Sequence, residues 1–165
     1  MNLEATEDFS SRKLLLQERA CMLNSFSFLD AFEMGKIAIS IATARVLPIA
    51  VEIRFDNWCI FHVSLPGSTP ENDWWISRKA RVVALKHHST LYERVNAEEL
   101  KVDWYKENNV SEENFAIHGG GYPLIVKDQG FVGSLIVSGL PQIEDHLLCV
   151  EVLSKFIESQ KTKND

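Results

Sequence analysis

The chain has 165 residues, 45% hydrophobic and 24% charged, with 17 basic residues against 23 acidic ones and a formal charge of −6. That is chain enough for one domain with a sizeable core, and the composition excludes a disordered, fibrous or repetitive protein. It offers no broad basic field to hold a phosphate backbone, which argues against nucleic acid as a main partner.

Residues 1–24 read as an N-terminal extension, in which Lys13 to Met22 forms either a helix with Leu15, Arg19 and Met22 on one side or a mobile entry segment. The acidic start, with Glu4, Glu7 and Asp8, lacks the basic and apolar regions of a signal peptide. From Ser27 the residues Phe28, Ala31, Phe32, Ile39 and Ala42 recur at helical spacing to about Arg45, where Pro48 interrupts the run. This predicts the first core helix. Ile49, Val51, Ile53 and Phe55 then alternate with Ala50, Glu52 and Arg54, as in a strand with one buried face. Asp56-Asn57 supplies a turn, and Trp58 to Leu65 completes a hairpin.

Thr69-Pro70 is a helix start, with threonine as cap and proline at the first helical position, and the helix should reach about His87 or His88. Asn96-Ala97-Glu98-Glu99 has the spacing of a capping box and predicts a helix from Ala97 to about Asn108 that buries Leu100 and Trp104. Tyr122 to Lys127 and Phe131 to Ser138 form a second hairpin around Asp128-Gln129-Gly130, and Gln142 to Ser159 is the closing helix before a polar tail, 161–165. The order predicts an α+β fold in which both hairpins share one antiparallel sheet with helices packed on it. Cys21, Cys59 and Cys149 are odd in number and far apart within apolar segments, and read as buried thiols of a cytoplasmic protein. The longest uncharged apolar segment, Ile37 to Ala44, is too short to span a bilayer.

Two sets of residues carry a family resemblance. Gly120-Gly121-Tyr122-Pro123-Leu124, Gly130, Gly133, Val137-Ser138-Gly139 and Asp145 resemble the signature of the GlcG and PduO C-terminal domain family, called the heme-degrading or heme-binding domain family. Asn72-Asp73-Trp74-Trp75-Ile76-Ser77-Arg78-Lys79, His118-Gly119-Gly120, Ser138-Gly139-Leu140 and Asp145-His146 resemble more narrowly a fungal and bacterial branch of it. The resemblance covers a single domain over residues 25–160. Glu71 stands where the branch usually has aspartate, and His88-Ser89-Thr90 where a pair of serines is usual. The resemblance implies a profilin-like fold with a central antiparallel sheet and a ring-like homo-oligomer. Heme binding or degradation is attributed to only some relatives, so heme is a candidate ligand and no cofactor is assigned.

Candidate ligand-binding residues cluster in three places. His118 precedes Gly119, Gly120 and Gly121, a run that marks a shaped surface, and could ligate iron, act as a base or cap a loop. Arg78 and Lys79, with Arg81, Lys86, His87 and His88, give the middle helix a basic side for heme propionates, a phosphate or an acidic subunit, or else a solvated face. Ser138 ends the second hairpin, and Asp145 and His146 lie in the first turns of the last helix, where a carboxylate suits the helix dipole. His118, Lys79 and His146 are expected around one cavity. Trp74 and Trp75 point about 100° apart on their helix, so one is expected in the core and the other at a subunit interface or pocket rim.

There is no G-x-S-x-G elbow, P-loop lysine or dinucleotide glycine motif, and no histidine spacing demands a metal. Two functions therefore remain. One is an oligomeric protein binding a small anionic ligand such as heme, with turnover open. The other is a non-catalytic oligomeric scaffold that binds a protein partner.

Overall fold

The computed structural model describes residues 6–163; Glu4 of the acidic start and residues 164–165 of the expected tail lie outside the described residues. A helix α1, Ser11–Ala20, precedes the long helix α2, Phe28–Arg45, and the hairpin β1, Ala50–Phe55, with β2, Trp58–Ser64. Helices α3, Pro70–Lys86, α4, Thr90–Leu100, and the short α5, Trp104–Glu107, follow. The hairpin β3, Gly121–Val126, with β4, Gly130–Ser138, leads to α6, Gln142–Lys163. The four strands form one antiparallel sheet in the order β2-β1-β4-β3, as the two alternating hairpins predict.

Both faces of the sheet are covered. Val51, Ile53, Leu135, Val137, Tyr122 and Leu124 meet α2 and α6 on one side, in a cluster with Met34, Ala38, Ile41, Val152 and Phe156. On the other side Ala50 and Ile136 pack against Ile76, Ala80 and Val83 of α3. The single buried face expected for β1 is therefore corrected. Ala50 is small and Glu52 is paired with Arg54, which is why the second face looks polar in sequence yet is closed by a helix.

Several boundaries follow from capping. Ser27 and Asp30 form a capping box at the start of α2, and the helix ends at Val46 in a left-handed conformation two residues before Pro48. Its buried side is Ala31, Met34, Gly35, Ala38, Ile41 and Ala42, while Phe28 and Phe32 are each 53% exposed. The helix predicted from Ala97 to Asn108 is not present. Ser89 caps α4 through Tyr92 N–H, and Lys101 at φ 56° ends it, so Asn96 to Glu99 lie inside that helix. A new start at Asp103 buries Trp104, whose indole donates to Glu93 at 2.6 Å, whereas Leu100 is exposed. Cys59 is likewise exposed on β2, and only Cys21 and Cys149 are buried thiols. Among the described residues no helix is long and apolar enough to cross a membrane.

Candidate functional site

A cavity of about 410 Å³ opens where α3, the β4–α6 turn and His118 meet. Glu71, Asn72, Trp75 and Lys79 line it from α3, Ser138, Gly139 and Leu140 from the turn, and Gln142 and Asp145 from the first turn of α6. Asn72 is placed by the cap of its own helix: its Oδ1 accepts the Thr69 N–H at 2.8 Å, which leaves Nδ2 to reach Ser138 Oγ at 3.4 Å. The lower wall is an ion pair. Lys79 Nζ donates to Asp145 Oδ2 at 3.0 Å and to the Val137 carbonyl at 3.0 Å, and both side chains are 3% exposed. Burial pushes the Asp145 carboxyl up to about 6 against the lowering pull of Lys79 and of the Leu140 N–H, which donates to Oδ1 at 3.0 Å. At neutral pH the pair is ionised and its charges largely cancel.

His118 forms the opposite wall, edge-on to Trp75 with ring centroids 4.8 Å apart. Its pKa falls to about 4, first because of burial and then because of the charges of Arg94, Lys79 and Arg78. The imidazole is therefore neutral, and its Nδ1 is buried without a hydrogen-bond partner. Arg78 lies behind Trp75, with its guanidinium 4.1 Å from the Trp74 ring and 4.5 Å from the Trp75 ring. Its Nε and Nη2 donate to the Glu112 carbonyl and Nη2 also reaches that of Phe115, so backbone carbonyls, not carboxylates, hold it.

The structure thus brings Lys79, His118, Ser138 and Asp145 of the sequence candidates to one cavity, together with Trp75. It does not bring the rest. Arg78 and Lys79 are buried, not a solvated or ligand-ready basic side, while Arg81 and His87 are exposed and His88 is paired with Glu18 at 2.8 Å. Neither tryptophan sits in the core: Trp74 is 48% exposed and Trp75 lines the cavity, because the core side of α3 is filled by Ile76, Ala80 and Val83. Gly119, Gly120 and Gly121 are buried behind the wall. Gly119 N–H donates to Gln142 Oε1, Gly121 N–H to Thr90 Oγ1, and Gly120 lies against Lys79 and Asp145. The sequence reasoning missed Glu71, Asn72, Leu140 and Gln142 as cavity residues; the Thr69-x-x-Asn72 spacing of a capping box could have singled out Asn72.

His146 faces away, under α1. Its Nε2 donates to Gln17 Oε1 at 2.7 Å, its ring packs against Phe9 and Tyr122, and burial alone lowers its pKa to about 3. Because the folded value lies below the unfolded value, the stability that neutral His146 represents is complete above about pH 6.5 and drains away as pH falls toward 3. His118 acts in the same direction, while Asp145, raised to about 6, opposes them between about pH 4 and 6. Urea unfolding should show a loss of stability between pH 7 and pH 5, to which His146 contributes about 2 kcal/mol, and His146→Leu should be distinctly flatter over that range.

The profile of the haem degrading protein HbpS-like family matches residues 26–154. A UPF0303 protein of Streptomyces avermitilis is 38% identical over 154 residues, covering 93% of this chain and 94% of its own. The solved structure of the Ybr137w protein superposes with a TM-score of 0.84 at 27% identity, over 92% of this chain and 90% of that one. A PduOC:heme complex superposes with a TM-score of 0.68 at 18% identity, over 79% and 94% of the two chains, a likeness of fold alone.

Proposed function

Since the chain belongs to the haem degrading protein HbpS-like family, we propose that its cavity binds a planar anionic ligand of the heme class, with His118 as the donor to iron or to a polar edge. The observation that carries this reading is the state and place of His118: a neutral imidazole, held beside Trp75, that lines the cavity. The neutral form is the one that ligates metals. The chemistry fits as well, since Trp75 offers an aromatic edge beside the imidazole, and Arg78, among the described residues the one nearby cation not held by a carboxylate, favours a negatively charged guest.

Heme bound there would supply the iron centre; the chain's own part is to hold and orient it. Lys79 is spent on Asp145, so its role is to keep the wall in place. Arg78 has no carboxylate partner among the described residues, and supplies long-range positive potential from behind Trp75. The proposed setting is cytoplasmic, consistent with three free cysteines. A non-catalytic scaffold is the second reading, favoured by apolar side chains left exposed on α2 and the first hairpin.

The test is an absorption titration with hemin. Wild type should bind with a defined band and saturate near one hemin per chain. His118→Ala should shift that band and weaken binding by roughly tenfold or more, the usual scale for losing a ligand-orienting contact. Identical spectra and affinities for the two proteins would remove His118 from the site, and a blank titration of wild type would favour the scaffold.

A further inference from the structure

His118 reaches the cavity from a stretch of chain, residues 108–120, that lies between α5 and β3 and has no helix or strand of its own. Its imidazole is not wedged in place. The ring borders the cavity and also a second hollow of about 280 Å³, lined among others by Arg94, Trp104 and Tyr105, and its Nδ1 has no hydrogen-bond partner among the described residues. The place of the ring therefore depends on its edge contact with Trp75 and on the path of the backbone that leads to it. Arg78 bears on both. Its Nε donates to the Glu112 carbonyl at 2.9 Å, Nη2 donates to the same oxygen, and Nη2 also reaches the Phe115 carbonyl at 3.5 Å. The Arg78 carbonyl accepts the Ala116 N–H at 3.3 Å, so one residue of α3 ties down the segment from 112 to 116. The same guanidinium lies 4.5 Å from the Trp75 ring, which His118 meets at 4.8 Å.

Stability alone does not call for an arginine here. Arg78 is 6% exposed, its Nη1 is buried without a partner among the described residues, and the oxygens it holds are neutral carbonyls. Burial lowers its pKa, as expected of a cation taken from water without a carboxylate beside it. Such a group costs stability that an apolar side chain would not. Residues 112–114 are exposed, so water could serve their carbonyls instead. What the guanidinium adds is geometry: a planar fork binds in several fixed directions and stacks on an aromatic ring, whereas a lysine ammonium is a point charge on a flexible stem. We infer that Arg78 is a positioning residue for His118, holding the imidazole at the cavity wall by clamping residues 112–116 to α3 and by backing Trp75. The inference rests on the reading of His118 as the ligand-facing group, and gives Arg78 a task beyond its charge.

Arg78→Lys separates the two roles, because it keeps the charge and loses the fork. In the ligand-free protein the His118 ring, followed by nuclear magnetic resonance, titrates at about 4 in wild type and should titrate higher by about one pH unit or more in the variant, as the released ring gains water. Hemin affinity should fall roughly tenfold or more, the scale for losing a group that orients a ligand-binding histidine. Arg78→Met should lose a similar amount. Arg81→Ala frees only the exposed Asn114 carbonyl of the same segment and should leave the His118 titration unchanged. Far-ultraviolet spectra and cooperative unfolding report the fold of each variant. The inference is overturned if Arg78→Lys keeps the wild-type His118 titration or binds hemin as tightly as wild type, or if Arg81→Ala moves the titration as far. Failure of both Arg78 variants to fold overturns it too, since the residue would then serve the fold as a whole. The ligand-free titration needs no hemin, so a blank hemin titration of wild type would remove the cavity reading while the ligand-free result still decides this one.

Discussion

Replacing Lys79 by alanine should destabilise the fold by about 3–5 kcal/mol, the cost of breaking a buried ion pair by removing one partner. Lys79 Nζ satisfies both Asp145 Oδ2 and the Val137 carbonyl, each at 3.0 Å, and almost no water reaches the pair. Without the ammonium, Asp145 keeps its desolvation and loses its largest favourable partner, so its pKa must rise above the present value of about 6. A folded pKa above the unfolded one means that the cost of ionisation grows as pH rises. The Lys79→Ala defect should therefore be smaller at pH 5 than at pH 8 in urea unfolding. The pair Lys79→Met with Asp145→Leu should recover most of the loss, since an apolar replacement of both partners strands no charge. Equal defects at both pH values would mean that Asp145 is solvated and the wall is looser than described.

Gly120→Ala should cost a comparable amount, about 4 kcal/mol, by combining backbone strain with overpacking. Gly120 has φ +119°, and a Cβ there would lie 2.4 Å from the Val137 carbonyl oxygen, 2.7 Å from Lys79 Nζ and 2.8 Å from Asp145 Cβ. The Gly120 carbonyl also accepts the Val137 N–H at 2.8 Å, so the start of the second hairpin would move with it. Gly130→Ala is the comparison. That residue has φ +91° but nothing within 4 Å of its Cβ position, and its substitution should cost about 1 kcal/mol, the strain alone. A thermal or urea series of the two variants checks the difference. Similar small losses would place the glycine run in a loose surface loop.

The parts of the fold that could be read from the residues are those whose signals are local. The alternation at Ile49 to Phe55, the turn at Asp128-Gln129-Gly130 and the Thr69-Pro70 start each depend on a few adjacent residues, and each element lies close to its expected place. The break between α4 and α5 was not legible, because Lys101 ends the helix in a left-handed conformation that no glycine or asparagine marks, and because Asn96 to Glu99 satisfy a capping pattern inside a helix. The site divides in the same way. That the glycine run, the β4–α6 turn and α3 converge could be anticipated from the two hairpins and the shared sheet. The burial of Lys79 could not, since its sequence neighbours Arg78 and Arg81 read as one basic side until Asp145, 66 residues away, is brought to it. His146 was misplaced by one residue of helical rotation: Asp145 turns toward the cavity, and the next position turns to Gln17 of α1.

The most direct measurement of the central claim is the histidine-ring nuclear magnetic resonance spectrum of wild type, assigned by single substitutions and recorded with sub-stoichiometric hemin. The ligand-free spectrum should show His118 titrating near pH 4, well below an exposed ring. As hemin is added, the paramagnetic iron should broaden the His118 signals first, while those of His62, His87 and His88 on the surface and of His146 beneath α1 persist. Broadening that begins at any of those four rings, or a spectrum unchanged by hemin, would contradict the assignment of the cavity as the ligand site.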